Sequence, residues 1–343
     1  MNFSVQFWAL SAWLIAIRSQ VVARLSESSY FEEFSFTNNK NLTLYAWKKH
    51  CKNQDSNGNI FLIHGYRWHS GYFLPLADHL NKIGYDVYSF DLPGHGKSES
   101  LYGIRGYIES LNDWTDSSEE YINFILSTKA SADENKKSNC QTPKPLFVLG
   151  ESIGGTVAFS LALRPSMASK ISGLILSAPA LKLSENVRPP SIVIYIVLFL
   201  SQFFPFWKMP AQELDDAFDS SFGNKSYAEY ARNDKLVSFD SPRFLTAAAM
   251  LKGFEDVSSS YKQLNVPFLV LHGLNDTKTD WQNSVNLYDT AKTSNKAIKL
   301  YENMMHQLFQ DTNDNVKIVT NDVSDWIKEQ EKTYSSKHVC MNK

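Results

Sequence analysis

Pro145-Leu-Phe-Val-Leu-Gly-Glu-Ser-Ile-Gly-Gly155 places an apolar run directly before Gly150-x-Ser152-x-Gly154 and a small-residue helix start directly after it. The glycine-serine pattern alone recurs by chance. A strand before it and a helix after it give it a specific meaning, because a tight strand-to-helix turn pushes the serine into strained backbone geometry at its tip, and only flanking glycines let the neighbouring chains approach. Ser152 reads as a nucleophile at such an elbow, and a structural Gly/Ser turn is the alternative.

A serine nucleophile needs a base, an acid to orient the base, and N–H donors for the oxyanion; behind an elbow they follow in the order Ser, Asp or Glu, His. Val266-Pro-Phe-Leu-Val-Leu-His-Gly273 reads as a buried parallel strand with Asp276 in the turn beyond its end, where catalytic groups collect. Asp280 competes for the acid, but Asp280-Trp281 resembles the cap of the next helix. Of the eight histidines only His306 and His338 follow Asp276, and His338 lies in a polar tail. His306, in the loop after the strand Ala297–Tyr301, is therefore the candidate base, while His272 reads as a histidine packed at a strand end. The oxyanion donors are expected to be the backbone N–H groups of Ile153, next to the nucleophile, and Tyr66, after the His64-Gly65 turn that ends the strand Asn59–Ile63.

Taken in order, His64-Gly-Tyr66, Asp91-Leu-Pro-Gly-His-Gly-Lys-Ser98, Gly106-Tyr-Ile108, Gly150-Glu-Ser-Ile-Gly-Gly155, Ala178-Pro179, Pro242-Arg-Phe-Leu-Thr-Ala247, Leu271-His-Gly273 with Asp276, and Met305-His306 resemble the monoacylglycerol lipase branch of the α/β-hydrolases. The likeness is greatest to the plant-type members labelled monoglyceride lipases or caffeoylshikimate esterase-like proteins, and spans about residues 30 to 330. It implies Ser152, Asp276 and His306 as the triad. Arg67 and Trp68 stand where vertebrate-type members carry glycine and an acidic residue, Tyr72 stands where they carry arginine, and Gln307 replaces a glycine often found after the histidine. Trp68 and Tyr72 would then lie near the headgroup end of a substrate, which puts the usual headgroup preference in question.

Strand-like runs at Leu42–Trp47, Ile60–His64, Val87–Asp91, Leu146–Gly150, Gly173–Ser177, Pro267–Gly273 and Ala297–Tyr301 alternate with helix-length segments. That alternation predicts an α/β fold with a mostly parallel sheet and helices on both faces. We expect a hydrolase domain over residues 27–333 with a helical cap inserted at about 181–243, preceded by a hydrophobic segment 1–26 and followed by a polar tail 334–343. Lys129–Lys144 is polar and reads as a solvated loop.

Within the cap, Ile192–Phe204 is almost unbroken apolar sequence, too short to cross a bilayer. Two readings stand: a buried helix, or a partly exposed lid that dips into lipid, with Ile194 and Leu198 meeting the acyl chain. Phe7–Ile17 has the length of a signal-peptide apolar region, with Val21-Val22-Ala23 as a cleavage site, but lacks a basic start. Signal peptide or anchor, interfacial helix, and transit peptide or docked helix all remain open, so the chain is expected to be membrane-associated, in a secretory or a cytoplasmic setting. Asn41-Leu-Thr43 and Asn224-Lys-Ser226 permit glycosylation.

A chain of 343 residues, 43% hydrophobic and 20% charged, can bury a large core. Its net charge of −2, without a basic stripe or a phosphate-cradling loop, argues against nucleic acid as a partner. Cys51, Cys140 and Cys340 have no metal-ligand spacing, and an odd count excludes a complete disulfide framework. The expected function is hydrolysis of a lipid carboxylic ester through an acyl-enzyme, with no metal and no organic cofactor. Monoacylglycerol is the first substrate candidate and lysophospholipid the second; phenolic esters and acyl transfer stay open. A hydrolase-fold lipid-binding protein with a silent site is the reading from another class.

Overall fold

The computed structural model describes residues 31–51, 55–134, 144–183, 188–210, 218–238 and 240–337. The segment 1–26 with its cleavage motif, Cys140, Cys340 and His338 lie outside the described residues, so the expectations placed on them have no structural counterpart here.

Among the described residues, eight strands form one sheet in the order β1-β2-β4-β3-β5-β6-β7-β8. The strands are β1 Phe31–Thr37, β2 Thr43–Lys49, β3 Gly58–Ile63, β4 Tyr85–Phe90, β5 Leu146–Glu151, β6 Ile171–Ser177, β7 Phe268–Gly273 and β8 Lys296–Tyr301. From β4 to β8 every pairing is parallel. The exceptions lie at one edge, where β1 pairs antiparallel with β2, and β2 antiparallel with β4. The sequence did not announce β1, because Glu32 and Glu33 interrupt its apolar residues and most of the strand faces solvent.

Both faces of the sheet are covered, and the side-chain period of two sorts the strand residues between them. Phe61 and Ile63 of β3, Val148 of β5, Leu176 of β6 and Val270 of β7 join Trp114, Val157 and Phe159 on one face. Ile60, Leu62, Phe147, Leu149, Ile175, Leu269 and Leu271 join Leu76, Leu80, Val323 and Trp326 on the other. The first face is covered by the helices Asn112–Glu134, Ile153–Leu163 and Phe244–Ser259, the second by Leu74–Lys82 and Asn313–Lys337. Because β3, β5, β7 and β8 point the same way, the segments that follow them emerge at one edge: Gly65, Ser152, Asp276 and His306 come from four separate loops at the carboxyl ends of parallel strands.

One expectation changes, and one reading left open is decided. Lys129 does not open a solvated loop: the helix Asn112–Glu134 continues past it, and its ammonium reaches Asp86 Oδ2 at 2.7 Å. Asp86 is buried and also accepts from the Cys51 N–H, so the lysine is drawn inward to a carboxylate that burial would otherwise penalise. In the cap, the helix Ser191–Phe203 buries only Val197 and Ser201 and packs along Phe244–Ser259. Its outer face carries Ile192, Tyr195, Phe199 and Phe203, all exposed, with Tyr195 showing 76% of its surface. Spacing at helical period explains the division: positions 192, 195, 199 and 203 share one face, and 197 and 201 the other. The cap chain rejoins the body through a bridge between Lys208 and Arg243. Among the described residues no helix is long and apolar enough to cross a membrane.

Candidate active site

Ser152 sits between β5 and the helix Ile153–Leu163 with φ 56° and ψ −121°, a backbone state that side-chain-bearing residues rarely occupy. The turn is tight enough that a Cβ on Gly154 would lie 2.2 Å from the carbonyl oxygen of Ile63. Glycine at that position therefore lets the elbow rest against the end of β3. Ile153 opens the helix, so its N–H belongs to the first turn, where no intrahelical acceptor exists and the helix dipole favours negative charge.

The turn before Tyr66 is held by His64. Its Nε2 accepts from the Leu92 N–H at 2.9 Å and its Nδ1 lies 2.8 Å from the Gly65 carbonyl, which assigns the proton to Nδ1. Burial lowers its pKa to about 3, so it is a neutral strut between the loops after β3 and β4 rather than a base. A Cβ on Gly65 would stand 3.1 Å from Ser152 Cβ, which brings the loop leading to Tyr66 against the nucleophile.

Asp276 and His306 meet: His306 Nδ1 lies 2.7 Å from Asp276 Oδ2, and both are buried. The carboxylate is braced from several sides. Its Oδ1 accepts from the Lys278 and Thr279 N–H groups at 2.7 and 3.0 Å, and the Thr279 hydroxyl lies 2.7 Å from Oδ2. Burial alone would raise the Asp276 pKa, but attraction to His306 and hydrogen bonds from two histidines hold it well below the usual range. For His306 burial pulls down, and Asp276 with a smaller push from Glu151 more than offsets it, so its pKa lies above 6.5. Asp280 is occupied elsewhere, its side chain capping the helix Trp281–Thr290 by accepting from the Gln282 N–H at 2.9 Å.

His272 is packed at the end of β7 and also touches the acid: its Nε2 lies 3.2 Å from Asp276 Oδ2 and its Nδ1 2.8 Å from Ser284 Oγ. Sequence reasoning missed this contact. The i,i+4 spacing of His272 and Asp276 across a strand end was the signal available for it. Trp68 and Tyr72 face each other and pack against a small core of the cap built on Phe218 and Phe222. The Tyr72 hydroxyl and His69 Nε2 both reach Asp234 Oδ2, tying the loop after β3 to the cap. Ile194 and Leu198 do not join this group. They line a cleft of about 590 Å³ between the cap helix and Phe244–Ser259, whose walls include Leu251 and Phe254 and none of Ser152, Asp276 or His306. Among the described residues no group of three His, Cys, Asp or Glu side chains is arranged to hold a metal ion.

A parallel sheet with an elbow serine, a histidine-aspartate pair at neighbouring strand ends and a helical cap defines the α/β-hydrolase fold, and the chain is a serine ester hydrolase of that class. It belongs to the family described as serine aminopeptidase, S33 (Hydrolase_4), whose pattern matches residues 54–313. Its relatives include caffeoylshikimate esterase of Arabidopsis thaliana, 26% identical over 82% of this chain and 80% of that one. Human monoglyceride lipase is 25% identical over 80% of this chain and 83% of its own. Among solved structures, a soluble variant of Saccharomyces cerevisiae monoglyceride lipase superimposes with a TM-score of 0.75 at 20% identity, covering 89% of this chain and 97% of that one. The monoacylglycerol lipase of Paleococcus ferrophilus gives 0.68 at 24% identity, over 84% and 99%.

Proposed function

We propose that the protein hydrolyses monoacylglycerols through an acyl-enzyme on Ser152. The observation that carries the chemistry is the buried His306–Asp276 pair at 2.7 Å, at the sheet edge where the elbow presents Ser152. With Nδ1 engaged by Asp276, Nε2 is the nitrogen that takes the Ser152 proton as the hydroxyl attacks the acyl carbonyl. The N–H groups of Tyr66 and Ile153 receive the oxyanion; losing one such donor typically costs about 100- to 1000-fold in rate. His306 then protonates the leaving glycerol and activates the water that releases the fatty acid.

The relatives named for monoglycerides and the apolar cap support a lipid ester as substrate. We read the aromatic outer face of the cap helix, continued by Phe204, Phe206 and Trp207, as the surface that meets the lipid. A phenolic ester is the second reading, on the strength of the caffeoylshikimate esterase relative.

Turnover of a panel comprising a 2-monoacylglycerol, lysophosphatidylcholine and a hydroxycinnamoyl ester, with fluorophosphonate labelling of wild type and Ser152→Ala, tests the reading. Wild type should label, Ser152→Ala should not, and the monoacylglycerol should give the highest kcat/KM. Labelling retained in Ser152→Ala overturns the nucleophile, and preference for the hydroxycinnamoyl ester overturns the substrate.

A further inference from the structure

Glu151 precedes the nucleophile at the end of β5 and is 3% exposed, yet no part of the mechanism above uses it. Its Oε2 has no hydrogen-bond partner among the described residues. Its Oε1 is met by Gln307, the residue directly after His306. In the orientation that pairs donors with acceptors, the Gln307 amide nitrogen lies 2.8 Å from Glu151 Oε1 and 2.8 Å from Gln310 Oε1, and its oxygen lies 3.2 Å from Trp68 Nε1. One amide thus joins three segments: the elbow, the loop bearing the candidate base, and the loop after β3 that leads from Tyr66.

We propose that Glu151 is a positioning residue for the base: its carboxylate, held by Gln307, is a second anion beside Asp276 that stabilises the imidazolium of His306 as the Ser152 proton is transferred. This deepens the function proposed above and rests on His306 being the general base. A buried carboxylate with an oxygen unpartnered among the described residues carries a desolvation cost that a nearby cation offsets. The partner is His306, because Gln307, whose amide meets Glu151 Oε1 at 2.8 Å, directly follows it in the chain, and His306 is the group of opposite charge that bears on Glu151. Burial raises the Glu151 carboxyl to about 7, while His306 and the Gln307 amide limit the rise and Asp276 adds to it. His306 is faced in turn by Asp276, Glu151 and Lys278, the first two favouring its charged form and the third opposing it.

The test is the pH profile of kcat/KM for a soluble p-nitrophenyl butyrate, with the full chain, from pH 5 to 9. In Glu151→Gln, removing an anion weakens the imidazolium, so the rising limb should move to lower pH by about 1 unit. The kcat at the plateau should fall about 10-fold with KM little changed, as for an interaction made only in the transition state. Gln307→Ala, which keeps the carboxyl but removes its donor, should move the limb the same way by less, and the double variant should match Glu151→Gln alone. A purely structural Glu151 would lower the melting temperature and leave the limb in place, and that result overturns the proposal. Should Glu151→Gln fail to fold, Gln307→Ala decides: an unmoved limb there overturns it equally. Wild type without any rising limb, or activity retained in His306→Gln, would instead overturn the underlying function.

Discussion

Replacing Tyr195, Phe199 and Phe203 together by serine separates a lipid-facing cap from a merely exposed one. Phe199 and Phe203 leave 59% and 62% of their surface in water. A buried aromatic side chain contributes about 200 Å², so roughly 120 Å² per ring is available, worth about 3 kcal/mol each at full immersion. Immersion to half that depth gives about 3 kcal/mol for the pair, roughly a 100-fold change in vesicle partitioning. The folding cost should be small, because these side chains bury little and serine and phenylalanine have similar helix propensities. We therefore expect co-sedimentation with phosphatidylcholine vesicles to fall about 100-fold and turnover of a long-chain monoacylglycerol to fall with it. Hydrolysis of p-nitrophenyl butyrate and the melting temperature should hold. Val197→Ser, on the buried face of the same helix, should do the reverse, lowering the melting temperature while leaving the ratio of long- to short-chain activity unchanged. Unchanged vesicle binding in the triple variant, or a large melting drop with an unchanged ratio, refutes the lipid-facing cap.

Asp276→Asn should lower kcat by several orders of magnitude, since it imposes the wrong imidazole tautomer on His306; Asp280→Asn should be nearly silent, because asparagine caps a helix as well as aspartate. The opposite ranking, measured on a soluble ester, would reassign the acid. Because the folded pKa of His306 is raised, and the base must be neutral to act, activity should climb with pH to a half-maximum above 6.5; a profile flat between pH 6 and 8 would remove His306 as the base. Lys129→Met removes the ammonium beside the buried Asp86 carboxylate and should cost about 2 kcal/mol at pH 7 by denaturant melts. Asp86 is lowered in the fold against the penalty of burial, chiefly by His50 and Lys129, so the stability it contributes is present above about pH 4 and lost as pH falls. The gap between Lys129→Met and wild type should accordingly narrow in acid, and a pH-independent gap would count against this ion pair.

The elbow, the order Ser152, Asp276, His306 and seven of the eight strands are legible in the sequence because each rests on local chemistry: glycines that a tight turn requires, and apolar runs that only a doubly covered parallel strand tolerates. Asp280 was readable as a cap for the same reason, since capping is settled within three residues. Strand β1 was not legible, because an edge strand buries one side at most and its glutamates break the pattern. The path of Lys129 into Asp86 and the Gln307 bridge to Glu151 were settled only by tertiary structure. Each joins residues from different segments whose pairing depends on how strands stack and where loops converge. The same holds for the cap. Composition alone makes Ile192–Phe204 apolar, and only the packing of that helix on Phe244–Ser259 determined that Tyr195, Phe199 and Phe203 face out while Ile194 and Leu198 line the cleft behind them, because a helix nearly uniform in hydrophobicity carries no internal signal for which face a neighbour will cover.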